Sequence, residues 1–268
     1  MKSIPNSSQR SVARALRAYG RTQVGWARWK SRATKMRPDV ANSFLLGVML
    51  DRGVRAERAW DAGEWMVDSL SDWDKGNVRS VWRALAKMDP RRLRGFMRYG
   101  YGGYAFHWRY KTFARLLPRA AKVLLAEYDG DPRQIWNNQR NVNVVRDRLE
   151  AIPTIGPALA NMTLLFLARD HGRVGGKKAR PLLDPKPDIH VCRVFQRTGL
   201  VRGGPATASA VIQAAKTLAP DYPAVLDAPA WEIGRKWCRP RRPRCRQCPI
   251  LRACPKIGIR GMTARVSA

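Results

Sequence analysis

The chain has 268 residues, 45% of them hydrophobic, enough for one large or two small globular domains and too apolar for wholesale disorder. Lys and Arg number 51 against 20 Asp and Glu, a formal net charge of +31 that points to a polyanionic partner, nucleic acid first. No apolar run reaches the roughly 20 residues of a membrane-spanning helix, and no apolar signal segment opens the chain, so membrane and secreted classes are set aside.

Residues 1–38 hold no acid and are rich in Arg and Ser. Over 8–20 the spacing predicts an amphipathic helix, with Arg10, Arg14, Arg17 and Arg21 on one face and Val12, Leu16 and Tyr19 opposite. The apolar face is expected to dock on the protein body; the basic face either follows phosphates or is simply solvated. A mitochondrial transit peptide has a similar composition, and a DNA-facing helix is the preferred reading. Trp26 and Trp29 follow, and Pro38 marks a break.

From Ala41 onward the pattern is helical. Ala41 to Leu50 is a buried apolar run, and Arg55 to Leu70 is amphipathic, with Ala59, Trp60, Trp65 and Met66 as core candidates. A further helix is expected over Asn77 to Met88. Asp89 and Pro90 form a helix start, N-cap and first position, before Arg91, Arg92 and Arg94. Tyr99 to Tyr110, rich in Gly and aromatics, reads as a loop entering a helix that contains Phe113, Leu116, Leu117, Val123 and Leu124. Pro118 is expected to kink or restart that helix. Asp131-Pro132 starts a short helix with Ile135 and Trp136, and Val144 to Leu149 leads into a tight turn at Ile152 to Ala158.

Residues 171–187 are dominated by Gly, Pro and basic side chains and read as a basic loop. Helices are expected again near Asp188, over 205–219 and over 223–236. No alternating β-branched pattern persists, so the fold class is all-α with many short helices.

Four of the five cysteines crowd into one segment, Cys238, Cys245, Cys248 and Cys254, with spacing C-x6-C-x2-C-x5-C. That is a metal or cluster site of a reducing compartment rather than a disulfide scaffold, and the thiolates suit a cubane cluster or one tetrahedral zinc. The spacing resembles the [4Fe-4S] loop of the endonuclease III group of helix-hairpin-helix (HhH-GPD) DNA glycosylases. The segment between the first two cysteines holds Arg239, Arg241, Arg242 and Arg244. By the same resemblance these would touch DNA phosphate; otherwise they are a solvated loop offsetting the cluster's charge.

Two further stretches carry the resemblance. Ile152-Pro153-Thr154-Ile155-Gly156 is similar to the family's Leu-Pro-Gly-Val-Gly hairpin, whose backbone N–H groups grip a phosphate without reading sequence. Gly156 would let the backbone approach the ligand closely. Thr154 stands where the family has its first Gly, and Pro157 removes one N–H near the helix start. The alternative is an ordinary turn between helices. Pro187-Asp188-Ile189-His190-Val191-Cys192-Arg193-Val194 resembles the segment around the family's essential aspartate. The basic loop before it reads as an insertion.

The resemblance implies a two-domain helix-hairpin-helix DNA glycosylase fold. Its expected parts are a basic N-terminal helix (1–39) packing on the cluster domain, a helical barrel ending in the hairpin (40–170), a basic loop (171–187) and an iron–sulfur cluster domain (188–268). DNA would cross the cleft between the two domains, with Asp188 at its floor. Asp188 would stabilise positive charge on the sugar as the N-glycosidic bond breaks, or orient water, and it would also serve as an N-cap. Asp184 is the rival acid. Bifunctional relatives carry a lysine two positions after the hairpin's second Gly; here that position is Ala158, which implies a monofunctional enzyme using water. Lys177, Lys178 and Lys186 remain alternative amines for a lyase. Expected DNA contacts are Thr154, Gly156, Ala158, His190, the four loop arginines and Arg52. Arg52 lies in Val48 to Val54, where relatives carry a glutamine wedge. His190 either orients the Asp188 helix or is a satisfied core residue, and Cys192 reads as packing. The aromatics of Tyr99 to Tyr110 either stack on a flipped base or pack between helices.

The expected partner is double-stranded DNA carrying a lesion or modified base, bound by a monomer in the cytoplasm or nucleoid, or in mitochondria or nucleus if eukaryotic. A non-catalytic DNA-binding or redox-sensing Fe–S protein on the same scaffold is the reading from another class. The base excised does not follow from the spacing.

Overall fold

A computed structural model describes residues 4–22, 36–70, 78–100, 110–137, 139–174 and 176–259. Among these every regular element is helical. The chain divides into two compact units, residues 30–175 and residues 1–29 with 176–268. No helix among the described residues is long and apolar enough to cross a membrane.

The first unit holds α2 (Pro38–Leu50), α3 (Ala56–Leu70), α4 (Ser80–Lys87), α5 (Pro90–Tyr99), α6 (Tyr110–Tyr128), α7 (Arg133–Trp136), α8 (Val142–Glu150) and α9 (Pro157–Asp170). α2 has almost no polar face: Leu45, Leu46, Met49 and Leu50 are all fully buried. It is the element around which the unit packs, with α3 against one side and α9 against another. α2 and α3 approach backbone to backbone, because a Cβ on Gly63 would stand 2.6 Å from the amide nitrogen of Gly47. The one buried polar side chain of α2, Asn42, is satisfied: it accepts from Trp82 Nε1 at 2.8 Å and donates to the Val78 carbonyl at 2.9 Å. Asp89 caps α5 as its sequence predicts, accepting from the amides of Arg91 at 2.7 Å and Arg92 at 3.3 Å.

Pro118 does not restart its helix. α6 runs unbroken from Tyr110 to Tyr128, with Pro118 itself buried. Proline forfeits one ladder hydrogen bond, and the buried neighbours Phe113, Leu117, Ala121 and Leu124 hold the helix on both sides of it. The aromatic residues 101–109, Trp26 and Trp29, and the start of the helix expected at Asn77 lie outside the described residues.

The second unit holds α1 (Ser7–Thr22), α10 (Ile189–Arg197), α11 (Ala208–Leu218) and α12 (Asp227–Lys236), with 3-10 turns at Gly176–Leu182, Pro223–Leu226 and Cys245–Gln247. α1 docks by Val12, Ala13 and Leu16, which join Val191, Val194, Phe195, Leu226 and Ile233 in one core. Its arginine face points outward, and Arg17 pairs with Asp221 at 2.6 Å. The basic stretch before Asp188 is more ordered than its composition predicts. It contains the Gly176–Leu182 turn and then lies on its unit through three contacts. The Ala224 amide donates to the Leu183 carbonyl at 2.9 Å, Lys216 pairs with Asp184 at 3.2 Å, and the Lys186 amide donates to Asp227 at 2.7 Å.

Candidate active site

Asp188 is the N-cap of α10. Its Oδ1 accepts from the amides of His190 at 2.8 Å and Val191 at 2.9 Å, which fixes the carboxylate at the positive end of the helix dipole. Its Oδ2 accepts no bond among the described residues, and the residue is only partly buried. One oxygen is therefore structural and the other is available for chemistry. Asp184 is disposed otherwise: it is 6% exposed and engaged with Lys216. Ile189, the first residue of α10, is 74% exposed beside Asp188.

His190 faces the α12 backbone. A Cβ on Gly234 would stand 2.8 Å from the His190 carbonyl oxygen, so the two helices touch where glycine alone fits. Burial holds the His190 imidazole below the ordinary histidine range; Asp188 pulls the other way, and the Arg193 guanidinium reinforces the lowering. His190 Nδ1 lies 3.0 Å from Arg193 Nη2. With the arginine as donor there, Nδ1 is the accepting nitrogen of a neutral ring.

Arg193 and Arg197, four residues apart on α10, are the residues that sequence reasoning passed over. Arg193 donates from Nε to the Cys238 carbonyl at 2.6 Å and from Nη2 to the Gly234 carbonyl at 2.8 Å. Arg197 donates to the carbonyls of Arg239 at 2.6 Å and Pro240 at 2.9 Å, and to Cys238 Sγ at 3.7 Å. The helix headed by Asp188 thus holds the start of the cysteine segment by two guanidinium forks. The signal in the sequence is one basic residue per helical turn on that helix; their carbonyl partners lie more than forty positions away.

The four cysteines Cys238, Cys245, Cys248 and Cys254 line one cavity, with Val194, Ile233, Trp237, Ile250 and Leu251 supplying apolar wall. Burial pushes the Cys245 and Cys254 thiols up, and that of Cys248 up to about 11. Thiolates in such a wall need a cationic centre beside them. Among the described residues no three His, Cys, Asp or Glu side chains converge as ligands of a single ion. The four thiols line one space instead, and four such donors suit a metal ion or a cluster. Arg239, Arg241, Arg242 and Arg244 are all exposed, and Arg242 adopts a positive φ of 50° at the loop's bend.

In the first unit, the turn between α8 and α9 is anchored from below by Ile152 and Ile155, both buried, with the Ile155 amide donating to the Ile152 carbonyl at 3.0 Å. Thr154 occupies a φ of 92°, where a β-branched residue is strained, and its buried Oγ1 has no hydrogen-bond partner among the described residues. Gly156 caps α9 with extended torsions of −100° and −178°, which any residue adopts. A Cβ there would meet only Arg52 Nη2, at 3.8 Å, so the fold leaves the face above Gly156 open. No side chain caps α9, and Pro157 occupies its first position. The first-turn amides, that of Ala158 among them, have no acceptor within the helix. Arg52 thus stands at the hairpin with its guanidinium beside that open face.

No protein-family model matches the chain, and no curated protein matches it. Solved structures do. A non-covalent endonuclease III–DNA complex superposes with a TM-score of 0.58 at 18% identity, over 84% of this chain and 86% of the other. A trapped endonuclease III–DNA covalent intermediate, the estranged-adenine complex, gives 0.54 at 19% identity over the same shares. A thermostable thymine-DNA glycosylase gives 0.57 at 17% identity, over 93% of this chain and 96% of the other. The chain has the all-α fold of the helix-hairpin-helix DNA glycosylases.

Proposed function

We propose that the protein is a monofunctional DNA glycosylase, which hydrolyses the N-glycosidic bond of a flipped, damaged or modified base in double-stranded DNA. The observation that carries this reading is the divided carboxylate of Asp188, with Oδ1 fixed by two amides and Oδ2 open. A carboxylate held at a helix N-terminus suits stabilisation of positive charge on a sugar and orientation of attacking water. The shared fold supports the reaction class.

The supporting parts follow. Gly156, Ala158 and Thr154, with Arg52 beside them, would receive a backbone phosphate at the start of α9. His190, held neutral, would position the Asp188 helix near the backbone. Arg239, Arg241, Arg242 and Arg244 would track phosphates through an exposed loop. Cys238, Cys245, Cys248 and Cys254 would hold a [4Fe-4S] cluster, which would cross-link the loop carrying those arginines and take no part at the glycosidic bond. Ala158 has no amine, so water is the nucleophile.

The test is incubation with duplex oligonucleotides carrying a panel of lesions, read with and without alkali. Strand cleavage only after alkali is the expected result. Borohydride trapping of a covalent adduct would move the chemistry to a lysine, with Lys177, Lys178 and Lys186 as the positions to substitute. Binding without base release on every member, unaffected by Asp188→Asn, would leave a DNA-binding Fe–S protein and overturn the reading.

A further inference from the structure

One surface of the first unit is not used by the proposed reaction. From Pro90 to Ala126 the sequence has nine Lys and Arg and no Asp or Glu. α5 presents Arg91, Arg92, Arg94 and Arg98, all exposed, while Leu93 and Met97 turn inward. α6 presents Lys111, Arg115, Arg119 and Lys122, also all exposed, with Phe113, Leu117 and Leu124 on its buried side. These four sit at spacings of four, four and three residues, which places them in one row along the helix. α5 packs on α6, which brings the two basic helices side by side. None of the eight cations has an acidic partner among the described residues. Elsewhere in the chain such partners form, as Arg17 with Asp221 and Arg133 with Asp131 show.

From this we infer that the α5–α6 face is a second contact surface for duplex DNA, apart from the hairpin. The identity of the polyanion rests on the glycosylase reading; the existence of the surface does not. The α6 row spans about 16 Å at 1.5 Å per residue, and a duplex of that length carries about five phosphates per strand. α6 is one continuous helix through Pro118, so its cations lie on a single element. Tyr99, at the end of α5, is 59% exposed with the Arg98 guanidinium 4.9 Å from its ring centre, and adds a flat apolar contact at the edge of the basic face. A membrane surface fits less well, because Leu93, Met97, Phe113, Leu117 and Leu124 on the apolar sides of the two helices are buried in the core. α5 and α6 pack on each other and α6 on α4, whereas α9 packs on α8 and α2. The face therefore lies on a different part of the unit from the hairpin, and gripping DNA here would leave the hairpin turn accessible.

The test compares wild type with an Arg115→Gln/Arg119→Gln/Lys122→Gln variant and a charge-conserving Arg115→Lys/Arg119→Lys variant. Binding of an undamaged duplex is measured from 50 to 200 mM salt, with thermal melting as the check on folding. At a slope of about 0.9 per phosphate, losing three cations removes about 2.7 from the log–log slope, or about 40-fold of salt sensitivity over that range. The glutamine variant is expected to show that loss and the lysine variant to keep the wild-type slope. An unchanged slope in the glutamine variant overturns the inference. So does wild-type binding to phosphatidylserine vesicles as tight as to duplex, lost in the same variant. Base release from lesion oligonucleotides is scored separately. A fall in slope without base release by wild type sinks the glycosylase reading alone, and base release with an unchanged slope sinks only this surface.

Discussion

Arg193 Nε donates to the carbonyl oxygen of Cys238 at 2.6 Å, joining the helix that Asp188 heads to the first residue of the cysteine loop. The same guanidinium reaches Gly234 and Ile189 carbonyls, so one side chain fixes α10, α12 and the loop entry together. Hydrogen bonds to charged groups contribute about 1.5–3 kcal/mol each, and the Cys238 and Gly234 carbonyls would lose theirs together. Arg193→Ala should lower unfolding free energy by about 3 kcal/mol in urea melts. Arg193→Lys should recover less than half, because one ammonium cannot reproduce the fork. A lysine variant as stable as wild type would show that charge alone matters.

Asp188 both caps and, by our reading, catalyses, and the two roles separate by substitution. Asparagine caps a helix as well as aspartate. Asp188→Asn should therefore melt close to wild type while base release falls by about 10²-fold or more. Asp188→Ala should lose the activity and about 1 kcal/mol of stability. Equal activity of the asparagine variant and wild type would remove Asp188 from the chemistry.

Thr154 is strained. A β-branched residue at φ 92° costs about 1–3 kcal/mol, and its unpartnered buried hydroxyl a similar amount. Glycine forfeits about 0.8 kcal/mol of buried methyl and about 1 kcal/mol of backbone entropy. Thr154→Gly should thus stabilise the protein by about 1 kcal/mol, read by chemical denaturation. A destabilised variant would mean that Thr154 packing outweighs its torsional strain.

His190 gives a pH dependence of defined sign. Its folded pKa lies below the unfolded value of about 6.5, from burial first and the nearby Arg193 and Arg235, against Asp188 and the Gly234 carbonyl. The unfolded chain binds the proton first as pH falls. The contribution to stability is complete above about 6.5 and is lost as pH drops from there toward the lowered folded value. His190→Gln should flatten stability against pH between about 5 and 7. A profile identical to wild type would assign the slope to other groups.

Protein isolated without oxygen should be brown, with iron and sulfide in equal amounts, and Cys248→Ser should lose both. Loss should also lower the melting temperature, because the loop from Cys238 to Cys254 has three residues of 3-10 helix, Cys245–Gln247, as its regular structure. A colourless protein with one zinc per chain would replace the cluster by a single ion.

Much of this was legible in the sequence because it is local. The caps at Asp89 and Asp188 follow from a short polar side chain beside a helical run, and both form as that chemistry dictates. The turn at Ile152 to Gly156 follows from two helices broken by Pro and Gly, and the cysteine segment from spacing within seventeen residues. The anchors of the basic stretch before Asp188, Ala224, Lys216 and Asp227, come later in the chain and are not legible in its own composition. Pro118 shows the same limit: it predicts a kink or a restart, and the helix runs from Tyr110 to Tyr128 with buried side chains on both sides of it. Charge and periodicity therefore pointed to a helical chain suited to a polyanionic partner, and local motifs pointed to its candidate site residues. Only the tertiary structure decided that Arg193 and Arg197 hold the cysteine loop and that Arg52 stands beside Gly156. It also decided that Thr154 carries a positive φ and that α5 packs on α6. Those facts depend on contacts between residues far apart in sequence, and no periodicity or spacing encodes them.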